Sequence, residues 1–211
     1  MAGFSYRLLR LTLAVGLCVG AANVAETAEP QGAGPAARSS RELLVAHDSM
    51  RNEPIDTSGR GQVQLLFGDQ SSLSIAPGSG IVINEYRFDP QTQTGNLTAT
   101  VTTGLFRYVA GEISREQDVL FYTPGAVVSV RGGIVLIKTQ RTGTGGDRTE
   151  ALFLSGDRMC VTANGKSQCT TKFATEIASE GSEPPSAPVA VTTEAIQALL
   201  SNLQAADESG N

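Results

Sequence analysis

The chain has 211 residues and a formal net charge of −5, with 40% hydrophobic, 18% charged and 5% aromatic residues. That length suits one domain with tails or two very small domains, and the composition permits a packed core without reaching that of a membrane protein. The acidic balance and the lack of a clustered Lys/Arg face argue against nucleic acid as a partner, because neutralising phosphates needs a basic surface.

Arg7 and Arg10 precede the apolar run Leu11–Ala22, and small residues follow it. This is the pattern of a secretory signal over residues 1–28, with candidate cuts after Ala22, Ala25 and Ala28. The run is shorter than the about 20 apolar residues of a spanning helix, so no stable membrane span is expected after cleavage; an uncleaved anchor is the competing reading. Leu17 before Cys18 is too large for lipoprotein processing. Removing Arg7 and Arg10 takes the net charge from −5 to −7. A secreted or otherwise exported location follows. Residues 29–40, rich in Ala, Gly, Pro and Ser, read as a flexible leader.

Residues 41–175 read as the β domain. Strands are expected at Val63–Phe67, Leu73–Ile75 and Ile81–Tyr86. Asn96–Thr102 alternates Leu97, Ala99 and Val101 with threonines, the pattern of a half-exposed strand. Leu105–Val109, Val119–Thr123, Ala126–Val130, Ile134–Thr139 and Thr149–Leu154 continue the series, with a Gly-rich turn at Thr142–Gly146. Many short strands with frequent turn signals predict a mainly β domain, either a sandwich or roll or an irregular solenoid, with one C-terminal helix.

The last hairpin carries the two cysteines of the mature chain. Asn164-Gly165 is a strong two-residue turn signal. Counting outward from it sets Cys160 opposite Cys169 at a non-hydrogen-bonded pair, where Cα atoms lie about 4.5 Å apart. A disulfide there is sterically allowed and suits an oxidising compartment. Residues 176–191, with Pro184, Pro185 and Pro188, read as a linker. An amphipathic helix follows at 192–205, with Thr192 as N-cap and Ile196, Leu199, Leu200 and Leu203 in one stripe. Docking on its own domain is expected ahead of docking on a partner. Residues 206–211 read as a frayed tail.

Four stretches, Gly61–Ser79, Tyr86–Pro90, Thr103–Gly111 and Tyr122–Gly132, resemble successive segments of the FecR domain, a match spanning residues 42–172. The resemblance implies a periplasmic, β-rich domain of a family named after a regulator of ferric-citrate transport. It marks Asp69, Phe106, Arg107, Thr123, Pro124, Val130, Arg131 and Gly132 as motif residues. The chain reads as a stand-alone exported member without the anti-sigma segment. Gly133 stands where the family usually has Thr, which points to a bulge or a close backbone approach.

Arg131 interrupts a run that reads as core. A buried guanidinium requires pairing, and Asp69, then Glu112, are its expected partners. An internal clamp is expected ahead of an anion-binding role. Catalytic signals are weak: Glu85 and Asp89 lie around a turn, His47 has no identifiable nucleophile, and no phosphate loop or His/Cys metal set is present. The chain therefore reads as a non-enzymatic envelope interaction or ligand-binding module without cofactor, whose partner is a protein or envelope component. The alternatives are a periplasmic regulator of transport signalling and a secreted hydrolase.

Overall fold

The computed structural model describes residues 41–45, 49–57, 61–142 and 146–204. The signal, leader and tail readings, together with Cys18, His47 and residues 143–145, lie outside them. The described residues all belong to one contact unit, Ala37–Asn211.

Alternating apolar residues build fourteen strands: β1 Arg41–Val45, β2 Ser49–Asp56, β3 Gln62–Leu66, β4 Ser72–Ile75, β5 Gly80–Asp89, β6 Thr94–Val109, β7 Val119–Tyr122, β8 Val127–Arg131, β9 Ile134–Thr142, β10 Gly146–Ser155, β11 Arg158–Ala163, β12 Lys166–Thr170, β13 Thr175–Glu180 and β14 Val189–Ala190. A four-residue helix α1, Ile113–Glu116, joins β6 to β7, and α2 spans Thr193–Gln204. The fold is mainly β with one C-terminal helix, as the strand pattern implied.

All fourteen strands belong to one hydrogen-bonded sheet that curls on itself. The sixteen-residue β6 belongs to both halves. Its first part pairs with β5 and β7, and its last part with β4 and β9. One half runs β1-β3-β4-β6-β9-β10-β13-β14, the other β2-β5-β6-β7-β8-β11-β12. The two expected strands at Asn96–Thr102 and Leu105–Val109 are thus a single strand. Gly104 bends it with φ +110°, at a point where any Cβ would strike Ser79. Carrying one strand from sheet to sheet through a bend is how orthogonally packed sheets form corners.

The inward faces of both halves share one core. Leu65, Ile75, Phe106, Tyr108, Ile137 and Phe153 come from the first half. Ile83, Leu97, Phe121, Val128, Val130 and Val161 come from the second. The Tyr108 and Phe121 rings meet across it at 5.2 Å.

The first half is apolar on its outer face as well, at Leu105, Leu136 and Leu152. Helix α2 covers that face with Ile196 and Leu203 buried and Leu199 and Leu200 packed alongside. Thr192 Oγ1 accepts from Ala195 N at 3.4 Å and closes the first turn. Residues 176–180, read as the start of the linker, belong to a strand that begins at Thr175. Thr175–Glu180 is strand β13, with Ile177 fully buried, and Glu176 and Thr175 pair with Val189 and Ala190 of β14. Its inward residues Thr175, Ile177 and Ser179 are mostly polar, which blurs the alternation from which strands are read.

Candidate functional site

The motif segments converge on α1. Asp69, fully buried, sits in the turn after β3, where Gln70 adopts φ +67°. Its carboxylate accepts hydrogen bonds from Ser71 Oγ at 2.6 Å, Ser71 N at 3.2 Å and Ile113 N at 3.3 Å. Its carbonyl accepts from Glu112 N at 2.8 Å, and its own N–H donates to Tyr86 Oη at 3.2 Å. Burial, with the nearby Asp69 charge, raises the Tyr108 phenol far above its ordinary pKa. The buried Ser114 of α1 donates to the Val130 carbonyl at 3.3 Å and accepts from Gly132 N at 2.8 Å. Asp69 on one side, and Val130 and Gly132 on the other, thus fasten two chain segments, the turn after β3 and the end of β8, to one turn of helix.

Arg131 differs from its expected role. Its side chain is 37% exposed, its Nε lies 3.0 Å from Asp118, and its Nη2 donates to the Glu116 carbonyl at 2.8 Å. Neither Asp69 nor Glu112 is its partner; Glu112 pairs with Arg115 at 3.1 Å. The reason is strand alternation. Val128 and Val130 take the inward face of β8, so Arg131 turns outward. There it lies opposite Arg158 in register, and the two guanidinium groups share the Asp118 carboxylate.

The other motif residues have structural places. Phe106 is fully buried in the core, and Arg107, next along β6, faces outward. Thr123 and Pro124 open the turn from β7 to β8: Thr123 Oγ1 donates to the Ala126 carbonyl at 2.9 Å, accepts from Ala126 N at 3.1 Å, and lies 2.8 Å from Thr149 Oγ1. Gly133 has φ +84°, and a Cβ on it would collide with the Ser155 carbonyl, beside the register shift between Phe153 and Ser155. The Thr usual in the family at this point does not fit here. Cys160 and Cys169 stand opposite each other and form a disulfide with Cα atoms 4.0 Å apart.

A cleft lies elsewhere, beside the β5–β6 hairpin. It has a volume of about 640 Å³ and is lined by Glu85, Arg87, Asp89, Asn96 and Gln117 among others. Glu85 is held by Arg51 at 3.3 Å and Asn96 at 3.1 Å. Hydrogen bonds from Gln91 and Thr92 hold the Asp89 carboxyl below its usual range. Both carboxylates are thus hydrogen-bonded to neighbouring groups. Among the described residues no group of three or more His, Cys, Asp or Glu could hold a metal ion, and no helix is long and apolar enough to cross a membrane. Sequence reasoning missed Asp118, Asn96 and Gln117. The alternating polar face Glu85-Arg87-Asp89 was the available signal for the cleft, whereas Asp118 meets Arg131 only through the turn of α1.

No protein-family model matches the chain, and no curated protein matches it. Two crystal structures of "a putative anti-sigma factor" from Parabacteroides distasonis ATCC 8503 share its fold. Their TM-scores are 0.52 and 0.51 at 12% identity, over 70% of this chain and 63% and 64% of theirs. The chain therefore matches less than two thirds of the length of those structures. At this identity the likeness concerns the fold alone, and it supports the FecR-like fold that the motif segments imply.

Proposed function

We propose that the chain is an exported, non-catalytic FecR-like β domain that serves as an interaction or ligand-binding module of the bacterial envelope. The observation that carries this reading is the fold likeness to an anti-sigma-type regulator over 70% of the chain. Two further features support it. The Cys160–Cys169 disulfide suits an oxidising compartment. The motif residues Asp69, Val130 and Gly132 are spent on internal fastening, which leaves surfaces such as the β5–β6 cleft for recognition.

The regulator reading, a sensor of envelope transport of the ferric-citrate type, has the description of those neighbours in its favour. A hydrolase has no comparable observation.

The test is to express the full chain with a photo-crosslinking residue at Asn96, fractionate the cells and trap free thiols. The expected result is recovery from the envelope fraction with both cysteines oxidised and one reproducible crosslinked partner. Recovery in the cytoplasm with free thiols would sink the export reading. Substrate turnover by the purified protein would sink the non-catalytic one.

A further inference from the structure

The described strands leave four sheet edges, β1 and β14 in one half and β2 and β12 in the other. Exposed edges invite pairing with another chain, and proteins usually blunt them with prolines, bulges, charges or very short strands. Strand β2 contains Pro54 and the positive-φ Asn52. Strand β14 has only two residues and follows Pro184, Pro185 and Pro188. Strand β12 carries no proline and no positive-φ residue, and its single charge, Lys166, stands at its start.

The hairpin register shows which groups β12 offers. Ala163 and Lys166 flank the two-residue turn, and hydrogen-bonded and non-hydrogen-bonded pairs alternate from there. Ser167 and Cys169 occupy non-hydrogen-bonded pairs, so their N–H and C=O groups point away from β11. The disulfide ties this edge to β11 at Cys169 and fixes the edge in an extended shape before anything binds. Such preorganisation lowers the ordering cost of association.

Beside the edge lies a groove of about 450 Å³, with Cys169–Lys172 on one side and Pro188 and Ala190 on the other. Adjoining these residues in the chain are Phe173, 72% exposed, and Val189, 60% exposed, two of the four large hydrophobic side chains that are exposed among the described residues. Thr175 also lines the groove, and its one charged lining residue is Lys172. Among the described residues, neither Lys166 nor Lys172 has an ion-pair partner.

We infer that the β12 edge and its groove are the docking site for an extended, acidic segment of a partner protein. The segment adds as a strand through the backbone groups of Ser167 and Cys169, and its side chains lie along the groove formed by Thr170, Lys172, Pro188 and Ala190. This is β-strand addition, in which main-chain hydrogen bonds supply affinity and flanking side chains supply choice. Lys166 and Lys172 bracket the edge with positive charge inside an otherwise acidic chain, which selects carboxylates. The same charges disfavour a second copy: antiparallel self-pairing centred on Gln168 brings Lys166 of each copy towards Lys172 of the other.

The inference rests on the binding-module reading and goes further by naming the surface and the chemistry. The probe is the peptide acetyl-Glu-Val-Thr-Val-Glu-amide, titrated into the oxidised full chain while amide hydrogen exchange is followed residue by residue. Exchange at Ser167 and Cys169 is expected to slow, and replacing both Glu by Lys in the peptide to abolish the effect. Ser167→Pro removes one outward N–H without removing a bond to β11. That variant and the double variant Lys166→Glu/Lys172→Glu are each expected to weaken binding about tenfold or more. Should Ser167→Pro fold poorly, the lysine variant, which changes only exposed side chains, decides the matter. No binding at millimolar peptide, protection at another strand, affinity unchanged in the variants, or concentration-dependent dimerisation through β12 would each overturn the inference. If the envelope partner still crosslinks to Ser167→Pro as to the unmodified chain, the module reading stands and the β12 site falls. If the unmodified chain captures no partner at all, the module reading itself falls.

Discussion

Asp69 and Arg131 are both charged motif residues, and their surroundings give them unequal weight. Asp69 is closed off from solvent and accepts three hydrogen bonds through its carboxylate, two of them from backbone N–H groups that have no water to turn to. Asp69→Ala is expected to cost about 3 kcal/mol, since buried donors then go unpaired. The Arg131 side chain is 37% exposed, and its pair with Asp118 is screened. Arg131→Met is expected to cost about 0.5–1 kcal/mol. Urea midpoints of the two variants check the ranking, and equal losses would contradict it.

A pH effect belongs to this scale too. Burial, then the neighbouring Glu150 charge, raises the Glu176 carboxyl above its usual range. Burial also pushes Glu150 up, but hydrogen bonds from Arg148 and Lys138 outweigh it and hold Glu150 low. Folded Glu176 binds its proton more readily than the unfolded chain does, so its contribution to stability falls as pH rises through its folded pKa. Glu150 behaves oppositely and loses its contribution as pH falls below 4.5. Glu176→Gln is therefore expected to stabilise the protein at pH 7 by roughly a few tenths of a kcal/mol, discounted for solvent screening. The gain should shrink towards pH 4, as read from denaturation midpoints at both values.

Among the elements, α2 has the clearest division of labour. Its stripe covers Leu105, Leu136 and Leu152, which would otherwise form an exposed apolar patch on the first half. Leu203→Ala is expected to cost about 2 kcal/mol through lost burial and the cavity left behind. Gln197→Ala, on the exposed face, should leave the melting temperature nearly unchanged. This stripe was legible in the sequence because Ile196, Leu199, Leu200 and Leu203 repeat with the period of a helix. The Cys160–Cys169 pairing was legible because Asn164-Gly165 fixes the register. β13 was hidden by its polar inward residues Thr175 and Ser179, and Gly104 looked like the gap between two strands although it bends one. Arg131 was misplaced because an apolar neighbourhood in sequence says nothing about which face of a strand a residue takes. The β5–β6 cleft and the α1 junction each join residues remote in sequence, so no local pattern announces them.

At the scale of the whole molecule, β6 makes the two halves interdependent. Both inward faces contribute to one core, and Tyr108 of one half stacks edge-on against Phe121 of the other. Unfolding is therefore expected to be a single transition. Tyrosine fluorescence, which samples Tyr86 and Tyr108 in the core, and far-ultraviolet circular dichroism, which samples all strands, should give the same midpoint in urea. Two separated transitions would show that the halves unfold independently.

The shared strand also sets a timetable for the newly made chain. Strands β3, β4 and β5 emerge early, yet the part of β6 beyond Gly104 must still wait for β9 before its second edge is covered. β10 and β13 arrive later again. No early stretch can close a core by itself, so the growing chain must carry bare apolar strands until more than half of its residues are present. Pairing of this long-range kind is slow and exposes sticky surface while it waits. A chain built in this way gains from staying unfolded until its middle strand has neighbours from both directions.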